Sequence, residues 1–495
     1  MPRTPFFGSA YVSRSTNVSD NRLINLYAEI VETKQGKEIG SFYTTPGLDY
    51  LMTLPTGPIR ALYATSPNAS FGSSGSGNFL YAVSGSNVYS LGGPGSPNLL
   101  GMIDQLPGAW AFDIRSGNFS RVTLPFNPIK TFPDQVTLVS NGLQIGIFKG
   151  VSVDQMDGFT FINEPQTYRW WQSDLLDLST FDPLNFASAS GNPDAIISVA
   201  QIHREVFIGK EQHTEVWINA GTAGFVFQRL DGVYIEVGVM DPATVVTVGE
   251  TLMWFGKNTQ GEYIVVQCVG YNPIRVSTHY IERIIEKNWN VPPGRSAYSY
   301  QQEGHTFYVL NVGDVTLAYD VTASRQAGMP MWHERDTIDT DGVPHRHWVA
   351  NTAVFNAKIM AGDYRNGNLY MLNLDTALDN TADEGFPRRW LRTWRAMPQP
   401  SDEPMRFNSL RVDMETGGTS TLPMVTPYCR LRWSDDGGHR WSNGRLHGAG
   451  RIGETSRRVT FKRLGSTRKN SGLDRIFEVS SSDLFPGAII AADLQ

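Results

Sequence analysis

Apolar and polar residues alternate along most of the chain in short runs, and the runs come in pairs. The first pair is Phe79-Leu80-Tyr81-Ala82-Val83-Ser84-Gly85-Ser86-Asn87-Val88-Tyr89-Ser90-Leu91. The second is Thr137-Leu138-Val139-Ser140-Asn141-Gly142-Leu143-Gln144-Ile145-Gly146-Ile147-Phe148. Later copies run from Val206-Phe207-Ile208-Gly209 to Val216-Trp217-Ile218, and from Leu252-Met253-Trp254-Phe255-Gly256 to Tyr263-Ile264-Val265-Val266. The last two join Phe307-Tyr308-Val309-Leu310 to Leu317-Ala318-Tyr319-Asp320, and Lys358-Ile359-Met360-Ala361-Gly362 to Leu369-Tyr370-Met371-Leu372. A period of two, interrupted by residues that accept a tight turn, predicts β-hairpins, with the glycines read as centring the turns. A hairpin that returns every ~40–70 residues predicts blades instead of one large sheet. Helical periodicity is scarce. Its clearest stretch runs from Thr278 to Lys287, where Ile281, Ile284 and Ile285 share a face behind a Ser277-Thr278 cap.

The pattern divides the chain into four parts. Residues 1–55 read as a polar N-terminal arm with one strand, Leu23-Ile24-Asn25-Leu26-Tyr27. Residues 56–375 form the β-propeller-like repeat region, with Gly/Ser/Pro connections such as Ser66–Asn78 and Gly92–Asn98 that lack the form of a phosphate cradle. Residues 376–404 are a charged connecting segment holding Trp390 and Trp394. Residues 405–495 read as a C-terminal β unit built on Ser409–Val412, Tyr428–Trp433, Val459–Arg463 and Arg475–Val479. Arginines alternate there with apolar residues, which predicts strands with one buried and one wet face. The expected fold class is mainly β: propeller-like blades, an additional Arg-rich β domain, and few helices.

Composition agrees with a folded, turn-rich β protein: 40% hydrophobic, 11% aromatic and 18% charged residues, with 48 Gly and 28 Pro. Cys268 and Cys429 permit one disulfide at most and form no CxxC metal pair. The start Met1-Pro2-Arg3-Thr4-Pro5 has no apolar run behind it, and no segment has the length of a membrane span. Synthesis in a cytoplasm without stable membrane insertion is therefore expected. The net charge of −6 is uneven: from Phe386 to Arg475 basic residues outnumber acidic ones about twofold, and nearly all are Arg. Such a region meets phosphates, or an acidic neighbouring subunit, or is a solvated strand face.

Few motifs point to chemistry. Ser434-Asp435-Asp436-Gly437-Gly438-His439-Arg440-Trp441 fits the S-x-D-x-G-x-x-W pattern of the Asp-box of sialidase-like propellers. Its expected role is structural: Asp436 accepts from turn amides, Gly438 permits the turn, Trp441 packs beneath it, and Ser434 opens it. A single box, with no arginine triad or Tyr nucleophile beside it, argues against glycosidase chemistry. His345-Arg346-His347, near His333-Glu334, could seat two metal ligands on one strand face, but no spacing supplies a third. Asp339-Thr340-Asp341-Gly342 lacks the further carboxylates of a calcium loop, because Thr337 and Trp348 stand where they belong. No G-x-S-x-G, H-E-x-x-H or Walker signature is present, and no G-x-G-x-x-G stands behind a predicted strand. No cofactor, metal or enzymatic activity is expected.

A series of phrases resembles the packaged-DNA stabilisation, or tail nozzle (hub), proteins of short-tailed bacteriophages. They are Gly8-Ser9-Ala10-Tyr11 with Arg14-Ser15, Arg22–Glu29, Thr45-Pro46-Gly47-Leu48, Trp171–Asp174, Asn185-Phe186-Ala187 and Pro193-Asp194. Glu215-Val216-Trp217, Gly232–Gly238, Trp254-Phe255-Gly256, Pro273–Glu282, Gln302–Tyr308, Trp332–Arg335 and Ser434–Trp441 follow in order. The resemblance implies a virion protein forming a homo-oligomeric ring, typically a hexamer, below the portal and its adaptor ring. It implies a continued channel for double-stranded DNA, retention of packaged DNA, and attachment of tail needle or fibre proteins. The chain departs from the pattern around Ser66–Gly77 and Ser96–Phe132, which bears on needle or fibre attachment. Arg388, Arg389, Arg457 and Arg458 are the candidate contacts to a neighbouring subunit or to the adaptor, since Arg pairs bidentately with carboxylates. The competing expectation is a carbohydrate-binding or sialidase-like tail propeller, drawn from the Asp-box and the blade pattern.

Overall fold

The computed structural model describes the chain except residues 1–3, 17, 34–37, 65–79, 93–96, 103–135, 141–142, 149–151, 165, 176–180, 339, 377, 397–403, 418–425, 468–474, 484–487 and 495. The Ser66–Asn78 connection, Asp339, and most of Ser96–Phe132 lie outside the described residues.

Antiparallel meanders follow one another in chain order. The first holds Ile59–Ala64, Leu80–Ser84, Asn87–Leu91 and Asn98–Met102, and the hairpin Val136–Ser140/Leu143–Phe148 comes next. Sheets starting at Val153–Met156, Ile196–Ile202, Val237–Val239 and Arg295–Gln302 continue the series. The last blade is Val349–Phe355, Lys358–Asp363 and Asn368–Asn373, completed by Gly47–Thr53 from the other end of the sequence. Neighbouring blades are tied by short polar bridges. Asn351 Nδ2 donates to Ile59 O (2.9 Å), Thr352 Oγ1 to Ser299 O (3.0 Å) and Ser299 Oγ to Thr247 O (2.8 Å). The Ile59 bridge joins the last blade to the first, which closes the ring of sheets.

Hairpin turns use backbone that most residues avoid. Asp157-Gly158, His203-Arg204, Glu303-Gly304 and Asn356-Ala357 all have positive φ at both positions, the geometry that matches the twist of two paired strands. The glycines of Ile208-Gly209 and Ala361-Gly362 do something else. Both lie inside strands, and a Cβ there would stand 2.4 Å from Val239 Cγ2 and 2.4 Å from Ile59 Cγ2 respectively. The expectation that they centre turns is corrected: they are where the next blade presses against the strand. Gly85 (φ 55°) is a turn glycine as expected.

The second unit is a β-sandwich. One of its sheets pairs Trp390–Arg395 with Ile476–Ser481, then Tyr428–Ser434, then Arg445–Gly448. The other orders Leu26–Ile30, Gly40–Thr44, Ile489–Leu494, Arg406–Met414 and Val459–Ser466. Phe6, Phe42, Trp394, Phe407, Leu410, Phe461, Phe477 and Ile489 fill the space between them. Phe6 meets Trp394 edge-on at 4.8 Å between ring centroids.

Propeller and sandwich share a sheet. The two-residue strand Leu23–Ile24 runs parallel to the propeller strand Trp332–Ile338 and antiparallel to Trp390–Arg395. Asn25, at φ 52°, then turns the chain and secures the junction: its Nδ2 donates to Asp336 Oδ1 (2.7 Å) and to the carbonyl of Arg389 (2.8 Å). Two helices flank this seam. His279–Asn288 is capped by Thr278 and buries Tyr280, Ile281 and Ile285, matching the predicted stretch. Val321–Ala327, unpredicted, is capped by Asp320 and ends at Gly328 (φ 67°). No helix among the described residues is long and apolar enough to cross a membrane.

Candidate assembly surface

The arginines that dominate the second unit fall into two environments. Arg392 is 1% exposed and donates to the carbonyl of Phe6 through Nε (3.0 Å) and Nη2 (2.8 Å). With no carboxylate opposite it among the described residues, burial pushes this guanidinium down to about 9. Arg475, 2% exposed, forks onto Asp435 at 2.6 and 2.8 Å, and lies against the rings of Phe407 and Trp433. The solvated-face expectation fails for both: they are interior struts, and the bonds they make offset the cost of burying them.

The four candidate contact arginines also divide. Arg388, 5% exposed, donates to the carbonyl of Thr45 and is pushed down to about 10 by burial. Its side chain has no surface to offer a partner in this protomer. Arg389 is partly exposed but committed to Asp336 at 2.8 Å. Arg457 is exposed, 3.6 Å from the exposed Glu454 and donating through Nε to the Gly448 carbonyl (3.2 Å), and Arg458 is exposed. Of the four, Arg457 and Arg458 are the exposed ones.

The Asp-box sequence forms its turn, on the sandwich and not on a blade. Asp436 Oδ1 accepts from Arg440 N (2.8 Å) and from Ser434 Oγ (2.8 Å), and Ser434 Oγ accepts from Gly438 N (2.9 Å). These bonds, the Arg440 amide foremost, hold the Asp436 carboxyl below its usual range. Gly437 and Gly438 take φ of 71° and 89°, which a side chain would resist. Trp441 is half-buried beneath the Arg432 guanidinium, 5.1 Å from its ring centroid. Thr16 donates to the Gly437 carbonyl, so the N-terminal segment clasps the turn. The carboxylate is spent on the turn itself.

The histidines separate. His345 sits outside between Asp341 (2.8 Å) and Asp314 (3.3 Å), and its pKa is raised by the bond to Asp341. His347 is 1% exposed, and burial together with Arg335 holds it well below the usual imidazole value. His333, also buried, accepts from Arg335 Nε at 3.2 Å. No group of three His, Cys, Asp or Glu side chains suited to a metal occurs among the described residues. Cys268 and Cys429 are free and buried, each thiol pushed up to about 12 by burial. At the sandwich edge Arg445, Lys462 and Arg463 stand exposed on terminal strands, with Arg445 Nη1 donating to the Lys462 carbonyl (2.6 Å).

Comparison with known proteins defines the class first: a structural protein of phage tails, built from a propeller and a sandwich. The family profile described as "Bacteriophage P22 Gp10, beta-propeller" matches residues 3–377, and "Bacteriophage P22 Gp10, beta-sandwich" matches residues 389–477. The chain belongs to the bacteriophage P22 Gp10 family. None of the curated proteins matches it. Among solved structures it is similar to the computationally designed Ika8 protein (13% identity, 74% of this chain and 100% of that one, TM-score 0.33). It is also similar to the extracellular domain of the one-component system BT4673 from B. thetaiotaomicron (8%, 80% and 46%, TM-score 0.32). A third is PorZ, a surface component of the type-IX secretion system of Porphyromonas gingivalis (10%, 81% and 46%, TM-score 0.31). The chain spans about half the length of the latter two.

Proposed function

We propose that this chain is a structural virion protein of a short-tailed phage that forms a ring, a hexamer by family resemblance, below the portal and its adaptor. In that position it continues the DNA channel, helps to retain packaged DNA, and anchors needle or fibre proteins. The observation that carries the reading is the family match over both domains, combined with the sheet that fuses them into one body. Charge supports it. A conduit must let DNA slide, and each phosphate contact would add salt-dependent affinity, whereas this chain has a net charge of −6. Catalysis is not part of the reading.

A carbohydrate-binding or sialidase-like propeller has less support, because the Asp-box carboxylate is occupied by its own turn. Cryo-EM of the tail from particles carrying this chain tests the proposal. A ring of this chain, coaxial with the portal, is the expected result. A copy found only at a peripheral spike, or glycan hydrolysis abolished by one carboxylate substitution, would overturn it.

A further inference from the structure

A ring of identical copies needs two different, complementary patches on each copy, because its contact is head-to-tail. Among the described residues two concave sites are of opposite charge, one on each domain. The first is a groove of about 460 Å³ at the sandwich edge, lined by Arg406, Lys462 and Arg463 with Phe407. It opens because the pairing of Arg406–Met414 with Val459–Ser466 slips between Phe407 and Ser409, while Arg463 adopts φ 60°. All three cations are exposed, and no carboxylate among the described residues lies within ion-pair distance of them. The second site, about 270 Å³, lies between two blades of the propeller. Glu205 and Glu250 stand at it over an apolar floor of Ile202, Phe207 and Leu252, and no Lys or Arg lines it.

We infer that the cationic groove of one copy docks on the Glu205/Glu250 site of the next. The inference rests on the ring reading above and names the surfaces through which the ring would close. A second copy is favoured over DNA as the occupant on two grounds. Residues 386–475 hold 18 of the 42 Lys and Arg but 8 of the 48 Asp and Glu, so the remainder of the chain, mostly propeller, is strongly acidic. An acidic partner is therefore supplied by every other copy at equal stoichiometry. The groove lining, with Phe407 among its cations and Arg445 donating to the Lys462 carbonyl beside it, also has the apolar-plus-Arg composition of a protein interface. The Glu205/Glu250 site suits an arginine or lysine: an apolar floor for the stem, carboxylates for the head.

The test uses the purified full chain and charge reversal. R406E/K462E/R463E is expected to weaken self-association on the order of thirtyfold or more by sedimentation velocity. Adding E205K/E250K to the same chain is expected to restore it, because the pair is rebuilt with signs exchanged. R406Q/K462Q/R463Q, with unchanged circular dichroism, is expected to weaken association less than the reversal does. The inference is overturned if the folded reversal variant assembles like the wild type, or if the combined variant is not rescued. It is also overturned if the reversal abolishes binding of duplex DNA while leaving assembly intact. A tail map with no ring of this chain would remove the ring reading itself and this inference with it, whereas a ring indifferent to the reversal removes the inference alone.

Discussion

At the scale of single residues, this protein uses arginine as a packing material. Arg475 joins one sandwich sheet to the Asp-box turn and simultaneously covers two aromatic rings. Replacing it with Met removes the fork onto Asp435 and is expected to cost about 3 kcal/mol, read as a lower urea midpoint. Arg457→Met, on the outside, is expected to shift the midpoint by less than about 0.5 kcal/mol. The buried His347 gives a signed pH dependence. Its folded pKa is depressed while the unfolded imidazole titrates near 6.5, so the stability it contributes is present above that value and lost as pH falls below it. The stability difference between wild type and His347→Asn should therefore shrink by about 1.4 kcal/mol per pH unit below about 6.5. A constant difference between pH 7.5 and 5.5 would contradict this. The sequence shows that arginine is abundant here, but alternation alone cannot tell an Arg that reaches water from one that finds a carbonyl inside. Arg388 and Arg457 look alike in sequence for that reason, and only the fold distinguishes them.

At the scale of elements, the hairpins were legible because a period of two is imposed by backbone geometry and survives without knowledge of the neighbours. The meaning of the glycines was not. Gly209 and Gly362 follow an apolar run just as a turn glycine would, and the blade that forbids a side chain there comes from elsewhere in sequence. Gly209→Ala should force Val239 and the strand apart, at about 1–3 kcal/mol, detectable as a lower Tm. The opposite is expected at Ala357, whose φ of 58° suits glycine better. Ala357→Gly should raise stability by about 0.5 kcal/mol, the relief of left-handed strain exceeding the entropy added to the unfolded chain. The helix Val321–Ala327 is not legible in the pattern, because it is short and carries little periodicity. Its signals, Asp320 as cap and Gly328 as stop, are local ones.

At the scale of the whole molecule, both units borrow strands from the first 55 residues. Gly47–Thr53 completes the last blade, while Leu26–Ile30 and Gly40–Thr44 supply two of the five strands in one sandwich sheet. A chain lacking residues 1–46 keeps the blade strand but loses Phe6, Leu23–Ile24 and those two sandwich strands. Limited trypsin digestion of it should leave a resistant propeller fragment and degrade the sandwich. Equal resistance of the sandwich would show that those strands are dispensable. The single strand expected over Leu23–Tyr27 breaks at Asn25 into Leu23–Ile24 and Leu26–Ile30, and no local pattern says that the partners of the first lie more than three hundred residues away.

Those distant pairings also set a clock. Gly47–Thr53 leaves the ribosome early, yet its partner Asn368–Asn373 is made more than three hundred residues later. Phe42 waits for Ile489, and Thr4 for Ala492, each more than four hundred residues later. At roughly 5–20 residues per second, the nascent N-terminus must stay unpaired for tens of seconds with apolar edges exposed. Synthesis speed and chaperone supply in the host, more than the stability of the finished fold, should then decide how much of this protein is recovered intact.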